Sequence, residues 1–395
     1  MPSFIRERNV QARRFKSIDG PPTIQFKALQ IGRWITSGSF CDYHEATIRS
    51  DRRKSTLTVK MLRVDTWSEG TNTTEHRDLL QEAQLLSSLT RHQHIIALGA
   101  ISMVNGNVCL VMSKLETTLT KHLKLWKQEK RNQRQNIGSF GNRDWTSRVE
   151  SVALGVADGL QFLHENGVVH RGINPDNIGF DGMGNVVLFD FTKAREIPDD
   201  DEQSEPTETE LKSSEAPELS SSSVPKPRAS SFNQSSSFVS VGTLTSNGSS
   251  CLQSMQERYT APEILAHPND ESQHKAASDV YSFGILLWEL VTLGTPYRKV
   301  RRSDDLLKAA IDGQRPLIRA LPSNKYLRKL VNSCWHHEQS RRPAAGAVHA
   351  MLKLIISGSP TKPSPSENKI PSPPLTRRHS SVLSPKLPGL QSPSL

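Results

Sequence analysis

Strand patterns and helix patterns are segregated along this chain, and their separation constrains the fold more than any other feature. Before about residue 115, the segments STLTVKML and NVCLVMSKL are short, β-branched and apolar, which is typical of strands. The interval from Thr73 to Leu89 differs, because its apolar residues recur at helical spacing. We therefore expect an α+β fold with a small β-rich N-terminal lobe and a larger α-helical C-terminal lobe. Helical spacing predicts the later helices near 279–293, 304–312, 325–335 and 343–355.

Composition marks the segments that we expect to lie outside the folded core. The chain of 395 residues is only 35% hydrophobic, and its Pro and Ser residues are concentrated in a few stretches. Such stretches bury too little apolar surface to offset the entropy lost on ordering. One folded domain is therefore predicted over 26–356. In chain order, the predicted segments are a disordered basic arm at 1–25, an N-terminal lobe at 26–115, a C-terminal lobe at 116–356 with inserted loops at 127–144 and 196–258, and a disordered Pro/Ser-rich tail at 357–395.

The charge pattern and the longest apolar stretch exclude two classes of partner. The net charge is +10, but the basic residues are scattered and lack interleaved aromatic residues, so we expect no nucleic-acid partner. The apolar stretch from Val280 contains Glu289 and is too short to span a membrane. The cysteines form no CxxC pair, which favours free thiols in the reducing cytoplasm or nucleus. They are Cys41, Cys109, Cys251 and Cys334.

Five motifs follow one another from residue 170 onward, after a strand lysine at Lys60. They are HRGINPDNIGF, VVLFDFT, YTAPE, SDVYSFGILLWEL and CWHHEQSRRP. In this order and spacing they resemble the signature set of the eukaryotic protein-kinase superfamily. VADGLQFLH and DVYSFGILLWEL are most similar to the tyrosine-kinase-like serine/threonine kinases. The resemblance covers about 26–356 and implies the bilobal protein-kinase fold.

The resemblance also implies a site for ATP and Mg²⁺. Lys60 matches the strand lysine that pairs with the α- and β-phosphates, and Glu82 matches its helix partner. Glu75 is the competing glutamate, but its place at the helix start suits the helix dipole. Asn177 and Asp190 match the two residues that hold Mg²⁺ through oxygen atoms. The other ATP-binding positions that the resemblance implies are Ser37, Gly38, Met112 and Leu115.

The chain departs from the family pattern at the residues nearest the chemistry. Gly172 stands where the family has the aspartate that accepts the proton of the substrate hydroxyl. Positioned acid–base groups typically contribute about 10²–10⁴-fold to a rate. Asn174 replaces a lysine that contacts the transferred phosphate, and nearby Asp176 matches a position that points elsewhere. Thr192 replaces the glycine of the D-F-G motif. In the glycine-rich loop only Gly38 is retained, and the other two glycine positions are Thr36 and Cys41.

A degraded glycine-rich loop leaves two interpretations open at this stage. It could bind phosphate with reduced affinity, or it could be an ordinary hairpin turn.

Several framework residues of the family are retained. Arg171 matches the arginine that can pair with a phosphorylated activation segment. Glu263 and Arg342 match a buried ion pair of the C-terminal lobe, and Asp279 matches the aspartate that holds the backbone of the catalytic loop. His170 is interpreted as a packed scaffold histidine. These residues predict that the fold is kept while the chemistry is not.

The substitutions favour a pseudokinase that binds ATP with Mg²⁺, is impaired in phosphotransfer, and acts through protein partners in intracellular signalling. An active serine/threonine kinase of low rate is one alternative, because Lys60, Glu82, Asn177 and Asp190 are retained. A structural adaptor that binds no nucleotide is another. The Ser-rich insert and tail are predicted targets of other kinases, with a plain solvated linker as the alternative.

Overall fold

The computed structural model describes residues 22–38, 40–51, 55–63, 73–135, 144–197, 256–300 and 302–358. The described residues belong to one compact unit that ends at Gly358. Most of the predicted basic arm, most of the insert at 196–258 and the tail beyond Gly358 lie outside them. The phosphorylation sites predicted for the insert and the tail lie outside them as well.

A five-stranded antiparallel sheet forms the N-terminal lobe, with strand order β1-β2-β3-β5-β4. One face packs against a helix, α1 (Thr74–Ser88), and the opposite face covers a smaller apolar cluster. The helix begins where the sequence predicts, because the Thr73 hydroxyl accepts a hydrogen bond from the His76 N–H at 3.2 Å. The five strands are β1 (Leu29–Ser37), β2 (Cys41–Ile48), β3 (Leu57–Leu62), β4 (Leu98–Val104) and β5 (Asn107–Ser113).

The C-terminal lobe is mainly helical, which confirms the expected α+β bilobal architecture. Two small sheets contribute short strands at the boundary between the lobes, in the orders β6-β8-β9 and β10-β7. The short strands are β6 (Thr117–Thr118), β7 (Val168–Val169), β8 (Ile178–Phe180), β9 (Val186–Leu188) and β10 (Arg195–Glu196). The helices are α2 (Leu119–Gln135), α3 (Asp144–Arg148), α4 (Leu154–Glu165), α5 (Pro262–Ala266), α6 (Ala276–Thr292), α7 (Ser303–Ile311), α8 (Lys325–Cys334) and α9 (Ala345–Ser357).

Helix α6 lies at the centre of this lobe. Every residue from Ser278 to Val291 is buried, so the longest apolar stretch of the sequence is a core helix, as expected. In the part of the chain that the structure describes, no helix is both long and apolar enough to cross a membrane. The cysteines Cys41, Cys109 and Cys334 are buried free thiols, and Cys251 lies outside the described residues.

The predicted loop at 127–144 is wrong over its first half. Helix α2 continues through this segment to Gln135. The polarity of this segment suggested a loop, but its Lys, Arg, Gln and Glu residues are all good helix formers. The helix needs only a narrow apolar stripe, which Leu119 and Leu123 provide from its first turns. A new helix begins at Asp144, and residues 136–143 of the predicted loop lie outside the described residues.

Two other predicted boundaries also shift. The last residues of the basic arm join the sheet edge, because the Ile24 N–H donates to the Ile101 carbonyl at 2.9 Å and the Ile101 N–H donates to the Pro22 carbonyl at 2.7 Å. At the insert, Glu196 still pairs with Val168. At both places, backbone pairing extends the domain beyond the boundary that the sequence predicted. The apolar content of these segments gave no indication of this pairing.

Replacing Lys127 with Met is expected to destabilise the domain, because this lysine joins α2 to the core. Its Nζ lies 2.6 Å from Glu289 Oε1 on α6, and the Glu289 side chain is 3% exposed. Tyr259 donates to the other carboxylate oxygen. Removal of the ammonium leaves a buried carboxylate with one partner fewer, which costs about 1–3 kcal/mol.

Thermal or urea unfolding of Lys127→Met measures this cost. Lys124→Met is the matched control, because Lys124 is an exposed lysine on the same helix. This variant should change the free energy of unfolding little. Equal effects of the two variants would contradict the assigned role.

Candidate active site

The site is centred on Lys60, which β3 carries into the space between the lobes. Its Nζ lies 2.7 Å from Glu82 Oε2 on α1 and 2.9 Å from Asp190 Oδ1, which follows β9. Lys60 is only 2% exposed. The structure places Glu82 beside Lys60, whereas Glu75 lies in the first turn of α1. One lysine therefore joins the sheet, α1 and the segment after β9.

The charges of this cluster, of which Lys60 and Glu82 are buried, stabilise one another. Burial alone would lower the pKa of Lys60, but the Asp190 and Glu82 carboxylates hold it well above its usual value. Burial would also raise the pKa of Asp190, yet Lys60 and the Thr192 hydroxyl bring it down to about 2. At neutral pH the cluster therefore contains an ammonium and an ionised Asp190.

Thr192 fixes Asp190 in this position. The Thr192 hydroxyl donates to Asp190 Oδ1, and the same hydroxyl lies 3.5 Å from Lys60 Nζ. Asp190 itself adopts a left-handed backbone conformation with φ of 62°. The next residue, Phe191, is fully buried, donates its N–H to Glu82 Oε1 at 3.1 Å and packs against the His170 ring. The threonine thus adds a side-chain contact where the family has glycine.

The loop around Gly172 is closed on itself by two asparagines. The side-chain amides of Asn177 and Asn174 donate to the Gly172 carbonyl at 2.9 and 3.1 Å. Asn174 Oδ1 also accepts the Asp176 N–H at 2.9 Å, which caps the 3₁₀ turn Pro175–Asn177. Asn174 is therefore a turn residue, only 5% exposed.

Neighbouring carboxylates are engaged elsewhere. Asp176 accepts a hydrogen bond from the Thr120 hydroxyl on α2 at 2.6 Å, which agrees with its expected orientation away from the site. A small cavity of about 50 Å³ lies beside Gly172, and Asp279 is the one carboxylate among the described residues that line it. Both Asp279 oxygens accept backbone N–H groups, from His170 and Arg171, at 2.8 Å. Neither aspartate is placed as a base for the position of Gly172.

The structure also places the remaining framework residues. Arg342 holds Glu263 through two hydrogen bonds of 2.6 and 2.8 Å. The Arg171 guanidinium forms an ion pair with the Glu271 carboxylate. His170 is fully buried, and its burial lowers the pKa of the imidazole, so the ring is neutral at pH 7.

At the glycine-rich loop, β1 and β2 pair as an antiparallel hairpin, and Ser39 lies outside the described residues. The Gly38 N–H donates to the Cys41 carbonyl at 2.7 Å, and the Ser37 hydroxyl donates to Asp42. Cys41 is 2% exposed, and burial raises the pKa of its thiol to about 12, so the thiol stays protonated. Ser37 and Gly38 thus bond within the hairpin itself.

Two further expected ATP-binding residues line the connection between the lobes. Met112 is buried on β5 opposite Thr58 of β3. Leu115 follows β5, and its side chain packs so closely on Gly179 of β8 that a Cβ there would lie 2.6 Å from Leu115 Cδ1.

Tyr43 on β2 lies in the site and was missed by sequence reasoning. Its ring lies 5.6 Å from Lys60 Nζ, measured to the ring centroid. The available signal was the period of two in a strand, because Tyr43 follows the buried Cys41 by two residues.

The residues present fit a magnesium nucleotide on one side of the cleft and disagree with it on the other. Lys60 carries an ammonium, and Asp190 and Asn177 carry side-chain oxygen atoms; these are the groups that would hold phosphate and Mg²⁺. On the opposite side, the glycine-rich loop is bonded to itself and the Tyr43 ring lies beneath it.

A two-lobed fold with a buried Lys–Glu pair and a neighbouring aspartate between its lobes defines a protein-kinase domain. The sequence pattern of the family described as "Protein tyrosine and serine/threonine kinase" matches residues 29–246 and 242–352. The chain therefore belongs to this family, whose members generally use ATP and Mg²⁺. Proteins on which such kinases act are expected partners of the class.

Individual relatives are distant but span most of the folded domain. A protein of Acanthamoeba polyphaga mimivirus, named for a serine/threonine-protein kinase/receptor, is 25% identical over 349 residues, which are 87% of this chain and 17% of that protein. Serine/threonine-protein kinase STY17 of Arabidopsis thaliana is 23% identical over 84% of this chain and 45% of its own length. Serine/threonine/tyrosine-protein kinase HT1 of the same plant is 23% identical over 84% of this chain and 67% of its own length. The chain spans under one fifth of the mimivirus relative.

Proposed function

We propose that this chain acts as a pseudokinase in intracellular signalling, with an ATP·Mg²⁺ site that is impaired in phosphotransfer. The observation that carries the proposal is the catalytic loop at Gly172. The position holds no carboxylate, and the two asparagines that surround it are bonded to the Gly172 carbonyl. Asp176 and Asp279, the nearby carboxylates described above, are held by Thr120 and by backbone N–H groups.

A missing base matters because a substrate hydroxyl must be oriented and must lose its proton. A glycine can do neither, since it has no side chain. Asn174 supplies no charge at a place where the developing negative charge of the phosphoryl group needs a cation. These losses support a role for the domain in binding protein partners. We place these partners in the cytoplasm or nucleus because the pattern of cysteines favours a reducing compartment.

An active serine/threonine kinase of low rate is the second candidate, and the Lys60 cluster favours it. Lys60 Nζ lies 2.7 Å from Glu82 Oε2, which is the ion pair that phosphoryl transfer in kinases requires, and Asp190 lies beside this pair, 2.9 Å from the lysine. Positioning and Mg²⁺ alone then supply the rate. STY17 and HT1, both named as kinases, are also consistent with this candidate.

Transfer of radiolabelled phosphate from ATP separates the two candidates. The wild type is incubated with Mg²⁺ or Mn²⁺, alone and with a generic basic protein substrate, beside Lys60→Met. We expect no transfer above the Lys60→Met background. Transfer by the wild type that Lys60→Met abolishes would establish the active kinase and overturn the pseudokinase proposal.

A further inference from the structure

Strand register brings Tyr43 to the same face of the sheet as Lys60. In the antiparallel pairs, Tyr43 of β2 lies directly opposite Lys60 of β3 and directly opposite Thr36 of β1. Side chains of directly opposed residues project from the same face of a sheet. Tyr43 therefore lies between the glycine-rich hairpin and the lysine.

Contacts on both sides of the ring show that it fills this space. On one side, Lys60 Nζ is 5.6 Å from the ring centroid, within range of a cation–π contact. On the other side, a Cβ built at Gly38 would lie 3.4 Å from Tyr43 Cε2 and 3.9 Å from its hydroxyl. Both are van der Waals distances measured to a Cβ that glycine lacks, so the ring lies close to the hairpin backbone as well as to the lysine.

The ring is also held in place by its surroundings. Tyr43 packs against the main apolar core. Burial raises the pKa of the Tyr43 phenol, although Lys60 opposes this shift, so the ring is neutral. A neutral aromatic ring attracts a nearby ammonium, so the contact with Lys60 favours the position of the ring in the cleft.

Phosphates would need this same space. In a kinase site the glycine-rich loop covers the phosphates from one side while the strand lysine binds them from the other. Here the ring separates Gly38 from Lys60, and the Gly38 N–H is already bonded to Cys41. A phosphate cannot contact both the hairpin and Lys60 while the ring stays in place.

We propose that Tyr43 is a self-occluding residue of the nucleotide site, so that a nucleoside triphosphate binds only when the ring has left the space between Gly38 and Lys60. The inference rests on the ATP site of the proposed function and adds the residue that controls its occupancy. When the binding-competent conformation is a minor one, the apparent affinity falls by the fraction of molecules in that conformation. Such minor states commonly amount to about 0.1–10% of the population.

Removal of the ring therefore increases ATP affinity. Tyr43→Val is expected to lower the Kd for ATP·Mg²⁺ by about tenfold or more, measured by titration calorimetry or by binding of a fluorescent ATP analogue to the full chain. Tyr43→Leu, which retains more apolar volume beside the core, is a second variant in case Val loosens the hairpin. Tyr43→Phe keeps the ring and should bind like the wild type.

His44→Val is the matched control on the same strand, because consecutive strand residues point to opposite faces. It should leave the Kd unchanged. A wild type that binds ATP as tightly as Tyr43→Val and Tyr43→Leu would overturn the inference while leaving the pseudokinase proposal intact. Absence of binding by every variant would also overturn it and would favour the adaptor. Binding by Tyr43→Val that is at least about tenfold tighter than binding by the wild type, with no radiolabel transfer by either, would support both proposals.

Discussion

Gly172→Asp is expected to raise phosphotransfer by the chain well above that of the wild type. The backbone at residue 172 lies outside the left-handed region, so an L side chain fits its conformation. The new Cβ would lie 2.9 Å from Asn177 Nδ2, which is the end of a side chain and can move away. A restored carboxylate is worth about 10²–10⁴-fold in rate.

The matched control for this variant is Gly172→Asn, which adds the same bulk without a base. Radiolabel transfer should appear with the Gly172→Asp variant and not with Gly172→Asn. Addition of Lys60→Met to Gly172→Asp should abolish this transfer. Equal rates for the Asp and Asn variants would show that the missing base is not the cause of the impaired phosphotransfer. Because Tyr43 competes for the phosphate site, Tyr43→Val combined with Gly172→Asp should require less ATP than Gly172→Asp alone.

Arg342→Met is expected to cause the largest loss of stability. The Arg342 side chain is fully buried and binds the Glu263 carboxylate through both terminal nitrogens. It also donates to the carbonyls of His336, Ala277 and His337. Removal of one partner of a buried pair costs about 3–5 kcal/mol. The Glu263 carboxylate, only 14% exposed, would keep the Gln339 amide but lose its cationic partner. This cost is a large part of the roughly 5–15 kcal/mol that stabilises a typical domain.

Arg341→Met provides the control one residue away. Arg341 is 66% exposed and pairs with Glu338 on the surface, where ion pairs contribute little. Thermal unfolding should show a large fall in Tm for Arg342→Met and almost none for Arg341→Met. Addition of Glu263→Gln to Arg342→Met should recover part of the loss, since the orphaned charge is then removed. Similar melting curves for the two single variants would contradict this account.

Local patterns made most of the fold predictable from the sequence. The helix expected at 73–89 is observed at Thr74–Ser88, because a threonine cap and an apolar stripe are both local signals. The helix expected near 279–293 is observed at Ala276–Thr292 for a similar reason. The segment 127–135 was not predictable in this way. Its helix presents mostly polar side chains, and the contact that ties it to the core joins Lys127 to Glu289, 162 residues along the chain.

The sequence by itself determined which groups are present at the site and which are missing. Lys60, Glu82 and Asp190 could be named from their motifs, and the absence of a carboxylate at residue 172 is a property of the covalent chain. Only the tertiary structure decided how these groups are used. In the folded chain, Asn174 caps a turn and Asp176 accepts a hydrogen bond from Thr120. Tyr43 lies opposite Lys60 in the sheet. The physical reason is that strand register and contacts between distant segments fix which side chains share a space, and no local pattern specifies them.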